Sequence, residues 1–449
     1  MSSNCTVILA GGEGKRMKSG KPKVLCEVLF KPMIDWVIDA AEEAGAGDIC
    51  VVTGHLHELL EKHLDRCCTT VFQSERLGTG HAVMQARDFI SRHDGNVLIL
   101  NGDAPLMDSN TISGALAYHQ RCGNAVTVIS AKVPNPFGYG RIVRDMAGFL
   151  QCITEEKDAD PEVRRINEVN SGAYWFKADI LCELLDRISP SGVTGEYYLT
   201  QAIALAIKEH LPAAAYTAQS PEVVLGANDR VQLLDLNNRA RRTVLETHMR
   251  NGLDIPCDDG VIIGPDVVFG RDAKVMPATI IRGETVIGNN SLIGPNSMIT
   301  DSIIGDECCL HTTYCTGSRI GNNCTVGPFV NIRAGTEVAD NVHLGNFIEI
   351  KNSSLGESTK ISHLAYIGDS DVGSNVNVGC GCVTVNYDGK EKYRTAIGDE
   401  AFIGCNTNLV APVKIGKGAR TSPGSTITQD VPDGAVAKAC AEQETLAGE

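Results

Sequence analysis

Apolar residues recur at every sixth position through the second half of the chain. An amphipathic helix needs a period of about 3.6 residues, so this pattern predicts a different fold. Three six-residue segments predict one triangular coil, and stacked coils predict a parallel β-helix with a continuous aliphatic core. The repeated positions are Ile263, Phe269, Val275, Ile281, Ile287, Ile293, Ile299, Ile304, Leu310, Ile320, Val326, Ile332, Val338, Leu344, Ile350, Leu355, Ile361, Ile367, Val372, Val378, Ile397, Ile403, Leu409, Ile415, Thr421 and Ile427.

Two features modify the repeat. A glycine follows several of the apolar positions, and we expect it to permit a tight corner. Residues 384–395 break the period, which predicts a loop that leaves the coil, and loops on rigid scaffolds often carry function. The glycines are Gly288, Gly294, Gly327, Gly398 and Gly416.

The first half of the chain alternates between strand-like and helix-like segments. Strands are expected near residues 6–10, 49–53, 97–101 and 125–132, and helices near 34–44, 79–92 and 109–121. This alternation predicts a Rossmann-like α/β domain with a mostly parallel sheet and helices on both faces. Ligands in such sheets bind at the carboxyl ends of the strands.

A polar segment joins the two halves and is expected to form a connecting helix. The predicted domains are therefore residues 1–228 and 251–449, with the helix at 229–250 and Asn251-Gly252 ending it. The expected packing points of the helix are Val231, Leu234, Val244, Leu245 and Met249.

Composition narrows the class of protein. The 449 residues carry a formal net charge of −15, which argues against a nucleic-acid binder because such proteins need a basic surface. No apolar run long enough to span a membrane and no signal peptide are apparent, so we expect a cytoplasmic protein without a membrane partner. The 17 cysteines form no C-x-x-C pair, which predicts reduced thiols that act as small apolar fillers rather than zinc ligands.

Candidate chemistry begins at the end of the first predicted strand. The glycine-rich segment 9–17 exposes backbone N–H groups that suit a phosphate, although any glycine-rich turn would look similar. It is neither a G-x-G-x-x-G fingerprint nor a Walker motif. Further motifs follow at Lys21-Pro22-Lys23-Val24-Leu25, Gln73, Leu77-Gly78-Thr79-Gly80-His81 and Asn101-Gly102-Asp103.

These motifs resemble the sugar-1-phosphate nucleotidylyltransferases. The resemblance extends through Phe137–Ile142, Glu155–Asp158, Asn167–Gly172, Gly195–Thr200 and Gly226–Asn228. The repeat resembles the left-handed β-helix of hexapeptide acyltransferases, which implies the handedness and a homotrimer. Together, from Val7 to about Thr428, the chain resembles the bifunctional family that joins an N-acetylglucosamine-1-phosphate uridylyltransferase to a glucosamine-1-phosphate N-acetyltransferase.

The resemblance implies a reaction and a first site. Glucosamine-1-phosphate would be acetylated from acetyl-CoA, and N-acetylglucosamine-1-phosphate would then react with UTP to give UDP-N-acetylglucosamine. Arg16 and Lys23 would neutralise phosphates, and Mg²⁺ prefers hard oxygen ligands such as that of Asp103. The implied residues are Leu9, Ala10, Gly11, Gly12, Gln73, Gly78 and Thr79 for uridine, Asn101 and Gly102 flanking Asp103, Asp103 and Asn228 for Mg²⁺, and Gly140, Glu155 and Asn170 for N-acetylglucosamine.

A second candidate site lies in the repeat. Arg333 and Lys351 are separated by three unbroken six-residue repeats, so we expect them to stack on neighbouring coils, where two cations suit a phosphate. His363 is a natural general base near neutral pH. The resemblance assigns Arg333, Lys351, Tyr366, Asn377 and Lys392 to glucosamine-1-phosphate, His363 to proton removal, and Cys380, Asn386, Tyr387, Cys405 and Pro423 to acetyl-CoA.

Several positions depart from the family pattern. Gly11 stands where alanine is common and Lys15 where threonine is common, and we expect modest effects because the backbone forms that loop. Cys405 replaces a serine, Cys380 replaces a small residue, and the tail lacks a basic run, so weaker acetyl-CoA binding is expected.

Two alternative functions remain open on the residues alone. The first is a single-function sugar-1-phosphate nucleotidylyltransferase of the ADP-glucose or GDP-mannose type with a structural β-helix, and His363 beside its stacked cations argues against it. The second is a non-catalytic scaffold like the translation-factor subunits that share both domains. The presence of Lys23 and Asp103 argues against the scaffold.

Overall fold

The computed structural model describes residues 3–64, 68–192, 195–441, 443 and 445. The chain separates into two compact units, Met1–Ala240 and Arg241–Glu449. Part of the C-terminal tail, whose lack of basic residues is noted above, lies outside the described residues. Within the described ranges, no helix combines the length and apolarity needed to cross a membrane.

The first unit is built on one twisted sheet. Its central order is β11-β7-β10-β6-β1-β4-β5, and all neighbours are parallel except that β10 runs antiparallel to β6 and β7. The strands of the unit are β1 (Cys5–Leu9), β2 (Glu27–Val28), β3 (Lys31–Pro32), β4 (Asp48–Thr53), β5 (Thr69–Phe72), β6 (Asn96–Asn101), β7 (Val126–Lys132), β8 (Arg141–Arg144), β9 (Leu150–Thr154), β10 (Glu168–Lys177) and β11 (Ala213–Thr217). Strands β8 and β9 attach to the main sheet through β10, whereas β2 and β3 pair only with each other.

Helices cover both faces of this sheet, as predicted. Successive residues of β1 point to opposite sides: Ile8 packs with Ile34, and Val7 packs in a second cluster with Val83. The helix expected at 79–92 is divided into two. The helices are α1 (Met33–Glu43), α2 (His57–His63), α3 (Thr79–Gln85), α4 (Arg87–Ile90), α5 (Ser109–Cys122), α6 (Ala178–Leu185), α7 (Thr200–Lys208) and α8 (Arg230–Arg250), with short 3₁₀ turns at Lys15–Met17, Lys23–Leu25, Glu156–Asp158, Val163–Arg165 and Pro221–Val224.

Helix α8 is the predicted connecting helix, but part of its expected packing face is wrong. Val231, Leu234 and Met249 are 78%, 62% and 41% exposed, respectively. The buried side chains recur at three- to five-residue intervals, as expected for one face of a helix. The sequence does not show which of its neighbouring apolar positions are buried, because that choice depends on the packing partners. The buried side chains are Leu233, Leu236, Ala240 and Leu245.

The second unit is a left-handed parallel β-helix with three faces of short strands. One face contains Val268–Phe269, Val286–Ile287, Ile303–Ile304, Arg319–Ile320, Glu337–Val338, Ser354–Leu355, Ser370–Val372, Thr395–Ile397 and Val413–Ile415. The other two faces contain Ile262–Ile263, Lys274–Val275, Ile280–Arg282, Leu292–Ile293, Met298–Thr300, Cys309–Leu310, Thr313–Thr316, Thr325–Val326, Val330–Arg333, His343–Lys351, Lys360–Gly368, Asn377–Val378, Val383–Val385, Phe402–Ile403, Asn408–Val410, Arg420–Thr421, Thr426–Ile427 and Val436–Ala437.

The inward column of the β-helix confirms the six-residue repeat, and the coil length varies. Ile263 pairs with Ile281, three full repeats further along the chain, whereas Ile299 pairs with Cys315 across a shorter coil. Cys315 is fully buried in an inward position that the apolar pattern missed. Across the predicted loop, Val378 pairs with Ile403, and residues 386–394 leave the coil. The predicted bounds of 384–395 are too wide, because Thr384 and Val385 pair with Leu409 and Val410 on the next coil, and Thr395 pairs with Ser370 and Val413. Phe269, in the first coil, is only partly buried.

Three of the repeat glycines lie beside a corner without being its left-handed residue, which comes two positions later at Asn290, Glu400 and Gly418. A Cβ on Gly398 would come within 2.6 Å of the Lys417 nitrogen on the next coil, so this glycine allows close approach rather than a left-handed turn. Gly288 and Gly416 are similar. Gly294 and Gly327 do have positive φ angles, 98° and 108°. Many left-handed corner positions are instead filled by asparagine, which tolerates that region: Asn290, Asn296, Asn323, Asn341, Asn352, Asn375 and Asn406.

The described cysteines divide into three groups by exposure, of which the partly buried group contains Cys68, Cys152, Cys182 and Cys309. Seven are buried and confirm the role of small apolar filler: Cys5, Cys26, Cys50, Cys308, Cys315, Cys324 and Cys382. Five are exposed, and for them that prediction is wrong: Cys122, Cys257, Cys380, Cys405 and Cys440. Cys67 lies outside the described residues.

Candidate active sites

A cavity of about 570 Å³ opens at the carboxyl ends of β1 and β6. Twelve of the residues predicted for the first site line it: Leu9, Ala10, Gly11, Gly12, Arg16, Lys23, Gln73, Gly78, Thr79, Asn101, Asp103 and Asn228. Sequence reasoning missed Glu13, Gly14, Lys15, Val24, Arg76, Ala82 and Glu196. Glu13, Gly14 and Lys15 belong to the glycine-rich segment itself, whereas Glu196 belongs to a motif without an assigned role.

Two glycines shape the floor of this cavity. Gly78 has a φ of 103°, and a Cβ there would lie 2.6 Å from the Tyr197 carbonyl oxygen, so a side chain is excluded. A Cβ on Gly11 would lie 2.9 Å from Gln73 Oε1. Gln73 is buried and donates from Nε2 to the Gly78 carbonyl oxygen at 3.3 Å. The departure at Gly11 therefore lets Gln73 approach the loop more closely than alanine would.

Charged groups converge at one end of the cavity. Lys23 Nζ forms an ion pair with Asp103 and donates to Asn228 Oδ1 at 2.8 Å. Because one ammonium contacts both the Asp103 carboxylate and the Asn228 amide oxygen, these two possible metal ligands lie close to the same point. The described residues contain no group of three or more His, Cys, Asp or Glu side chains able to hold a metal. A two-ligand oxygen set fits Mg²⁺, which usually keeps waters and phosphate oxygens as its other ligands.

A smaller cavity of about 230 Å³ adjoins the first through Leu9, Thr79 and Asn101. Its lining includes the predicted Glu155 and Asn170 and the unpredicted Gly172, Tyr174, Tyr198, Leu199 and Thr200. The other two predicted glycines support the lining from behind. The Gly102 N–H donates to the Leu9 carbonyl oxygen at 2.9 Å, and the Asn170 N–H donates to the Gly140 carbonyl oxygen at 2.9 Å.

Glu155 and Asn170 are fixed differently. Burial raises the pKa of Glu155, and the nearby charge of Lys157 partly opposes that rise. Asn170 donates from Nδ2 to the Tyr174 hydroxyl at 2.8 Å and accepts from the Gly172 N–H at 3.0 Å. The smaller cavity thus presents a carboxyl group and an oriented amide, which suit the hydroxyls of a sugar.

One corner of the β-helix stacks four predicted residues, His363, Cys380, Cys405 and Pro423, with Asn346. We call these five residues the corner column. Each directly precedes a residue with positive φ, at Phe347, Leu364, Gly381, Asn406 and Gly424. Backbone hydrogen bonds link the successive corners, from Gly381 N to Leu364 O at 2.7 Å, Asn406 N to Cys380 O at 2.7 Å, and Gly424 N to Cys405 O at 2.8 Å. Asn346 is in direct register with His363.

The hydrogen bond within this column defines the state of His363. The imidazole Nδ1 lies 2.9 Å from the Asn346 Oδ1. An amide oxygen can only accept, so Nδ1 carries the hydrogen, and in the neutral ring Nε2 is the nitrogen with the lone pair. Asn346 was not among the predicted residues, and only the pairing of neighbouring coils reveals it.

Positive charge collects on the face that follows the corner. Arg333 and Lys351 are in register on neighbouring coils, which confirms their predicted stacking. Arg333 also donates to Glu349 at 3.0 Å. The nearby Lys351 ammonium lowers the pKa of Lys392, so these two cations lie close together, and a bound anion would relieve their repulsion.

Asp369 organises the base of this charged face. It accepts from Asn352 Nδ2 at 2.6 Å and from the Asn386 side chain. Burial acts to raise its pKa, but these hydrogen bonds and the charges of Lys351 and Lys392 give a net lowering. Asn386 is buried and its amide is committed to Asp369, so its side chain acts within the protein in this structure.

The remaining predicted residues lie around the corner column. Tyr366 is in register with Glu349 on the face after the corner, whereas Asn377 is in register with Lys360 and Phe402 on the face before it. Tyr387 is 55% exposed and bridges to Lys392 within the loop. The structure thus places these residues on both sides of His363 rather than in one enclosed pocket.

Fold and sites together define a nucleotidyl transferase unit followed by a β-helical unit of the hexapeptide acyltransferase type. Residues 5–221 match the family described as "Nucleotidyl transferase". Proteins described as "Bifunctional protein GlmU" match the whole chain. The one from Thermoanaerobacter pseudethanolicus is 46% identical over 448 residues, covering 100% of this chain and 98% of that protein. The one from Listeria monocytogenes serotype 4a is 40% identical with the same coverage. The chain belongs to the family of bifunctional GlmU proteins, which confirms the family that its motifs resemble.

Proposed function

We propose that the chain makes UDP-N-acetylglucosamine in two steps, each in its own domain. The chain is a bifunctional enzyme, an N-acetyltransferase and a nucleotidyltransferase. Residues 251–449 acetylate glucosamine-1-phosphate from acetyl-CoA, and residues 1–228 transfer uridylyl from UTP to the product, with 229–250 connecting them. The observation that carries the proposal is the pair of adjoining cavities, one lined by a glycine loop and cations and the other by Glu155 and Asn170.

Uridylyl transfer rests on positioning and charge. The sugar phosphate oxygen attacks the α-phosphorus of UTP, and pyrophosphate leaves with both bonding electrons. The backbone of residues 9–12 with Gln73, Gly78 and Thr79 holds the uridine, while Arg16 and Lys23 face the phosphates. Asp103 and Asn228 would hold Mg²⁺, which neutralises phosphate charge when bound. Lys23 would then release these two oxygens and turn to the phosphates.

Acetyl transfer rests on His363. Arg333, Lys351 and Lys392 hold the phosphate of glucosamine-1-phosphate, with Tyr366 and Asn377 on its sugar. His363 Nε2 takes a proton from the amine as its nitrogen attacks the thioester carbonyl, and the CoA thiolate leaves. Acetyl-CoA lies along the corner column, contacting Cys380, Cys405 and Pro423, with Asn386 and Tyr387 from the loop.

Assembly and location complete the proposal. His363 is exposed and its neighbours flank it on both sides without enclosing it, which supports an acetyl-transfer site closed by another subunit of a homotrimer. The substrates are soluble metabolites, so the enzyme works in the cytoplasm. Its product is a precursor of peptidoglycan and lipopolysaccharide.

Two assays on two variants test the proposal. Pyrophosphate release is measured with UTP and N-acetylglucosamine-1-phosphate, and thiol release with acetyl-CoA and glucosamine-1-phosphate. Asp103→Ala should abolish the first and leave the second nearly intact, and His363→Ala should do the reverse. Loss of both activities in a folded Asp103→Ala protein would contradict two separate sites.

A further inference from the structure

We propose that Cys380 and Cys405 form a reactive dithiol that small disulfides convert into an internal disulfide. Both side chains are exposed, and both occupy the same place in the corner column, directly before a left-handed residue. The thiols therefore project from equivalent positions on adjacent coils. This dithiol stands on the coil geometry alone, whereas its effect on acetyl transfer rests on the proposed function.

The backbone brings the two cysteines together. Asn406 N–H donates to the Cys380 carbonyl oxygen at 2.7 Å, and a Cβ on Gly379 would lie 2.6 Å from the Cys405 nitrogen. Neighbouring strands are separated by about 4.8 Å, and disulfides join Cα atoms about 4.4–6.8 Å apart. The coil spacing thus falls inside the range that a disulfide accepts.

The third nearby cysteine is excluded from this chemistry. Cys382 is buried, and its Sγ donates to the Gly404 carbonyl oxygen at 3.1 Å. Burial raises the pKa of Cys382 to about 11, and the thiol, unlike the thiolate, is a poor nucleophile. Cys122 and Cys257 are exposed on other parts of the chain and serve as matched single thiols.

The reaction proceeds by two exchange steps. The Cys405 thiolate attacks one sulfur of a small disulfide, forms a mixed disulfide and releases one small thiolate. The Cys380 thiolate then attacks the Cys405 sulfur and releases the second small thiolate. The protein loses two electrons and two thiol protons, and one disulfide is reduced to two thiols, so the exchange balances without another oxidant.

The position of Cys380 and Cys405 in the corner column predicts that their disulfide would affect acetyl transfer. Cys380 follows His363 in the corner column, one coil away. Under the proposed function, acetyl-CoA lies along this column, so closing the disulfide there would reshape its binding groove and slow acetyl transfer. The nucleotide cavity in the first unit would be unaffected.

The test treats the full-length protein with glutathione disulfide and, separately, with CoA disulfide. Trypsin places Cys380 and Cys405 on peptides 361–390 and 395–414, so non-reducing mass spectrometry detects a cross-link between them. Because Cys382 lies on the first peptide as well, fragmentation of the joined peptides assigns the bond to Cys380 or to Cys382. The expected result is a 380–405 cross-link, with two small thiols released for each cross-link formed. In the Cys405→Ser variant, Cys380 should instead retain a mixed disulfide, because no second thiol is there to displace it. Single thiols such as Cys122 and Cys257 should each retain a mixed disulfide for the same reason.

Two outcomes separate the formation of the disulfide from its effect on acetyl transfer. Separate mixed disulfides on Cys380 and Cys405 in the wild-type protein, without a cross-link, would overturn the dithiol. If the cross-link forms, kcat/KM for acetyl-CoA should fall at least about tenfold, while uridylyl transfer stays intact and a dithiol reductant restores activity. CoA disulfide should also react faster than glutathione disulfide. A cross-linked protein with unchanged acetyl transfer would instead refute the placement of acetyl-CoA.

Discussion

His363 and Asn346 are joined across neighbouring coils by a 2.9 Å hydrogen bond between the imidazole Nδ1 and the amide oxygen. The bond holds the ring in one orientation and selects the neutral tautomer in which Nε2 has the lone pair that accepts a proton. Asn346 would therefore act through His363 rather than on the substrate.

Replacing Asn346 should alter acetyl transfer through the histidine. Asn346→Ala should lower kcat for acetyl transfer about tenfold, since the ring would sample unproductive orientations. Asn346→Asp should favour the imidazolium form of the ring, because a carboxylate stabilises a neighbouring positive charge. The acidic limb of the pH profile should then move to higher pH. Uridylyl transfer is the internal control, and an unaltered pH profile in Asn346→Asp would refute the positioning role.

The ionised Glu155 carboxylate should lower the stability of the folded protein at neutral pH and strengthen the binding of the sugar substrate. Its folded pKa is raised by burial, so its contribution to stability is greatest below its ordinary pKa and is lost as pH rises through the folded pKa. Glu155→Gln should consequently melt at a higher temperature than wild type at neutral pH, and the difference should narrow toward pH 4.5, the ordinary glutamate value. The KM for N-acetylglucosamine-1-phosphate should rise about tenfold through a lost charge-assisted hydrogen bond. Lower stability of the variant at neutral pH would contradict the burial argument.

The β-helix should fold alone, and its stability should depend on the last turns of α8. Leu245 is buried in the β-helix core, and Arg241 donates to the Val261 carbonyl oxygen at 2.6 Å. A fragment of residues 241–449 should therefore be more stable than one of residues 251–449, by about 2–5 kcal/mol if Leu245 dominates. Denaturant unfolding measures the difference, and Leu245→Ala in the longer fragment should reproduce most of it. Light scattering should give a trimer, and a monomeric longer fragment would refute the assembly.

Gly368 should matter because it leaves space for Tyr366. A Cβ there would collide with the Tyr366 ring and hydroxyl. Gly368→Ala should therefore raise the KM for glucosamine-1-phosphate about tenfold, with a smaller effect on the KM for acetyl-CoA. Gly264→Ala is the matched control, since its Cβ would meet only ordinary contacts at 3.4 Å or beyond. Equal effects of both substitutions would indicate a general loss of β-helix packing.

The sequence alone determined the two architectures and much of the first site. A six-residue period needs only local alternation, so Ile263 or Ile350 could be assigned inward without knowing its neighbours. Glycines and charged residues near strand ends likewise mark a ligand site, because parallel strands bring their carboxyl ends to one edge. Twelve of the predicted residues accordingly line one cavity.

Only the tertiary structure decided which residues meet across coils. Ile263 pairs with Ile281 across a full coil, Ile299 with Cys315 across a shortened one, and Val378 with Ile403 across the loop. The number of residues along the chain between two paired residues therefore differs wherever a corner is shortened or the loop intervenes. Cys380 and Cys405 become neighbours through the largest of these offsets, because the loop lies between them.

The repeat predicts which face of the β-helix each residue lies on. Predicting which residues stack on neighbouring coils also requires the length of every corner between them, and local sequence patterns do not give those lengths. Those lengths decide that Asn346 meets His363. The same reason explains α8, where side chains three or four positions apart compete for one buried face and only packing selects Leu233 over Leu234.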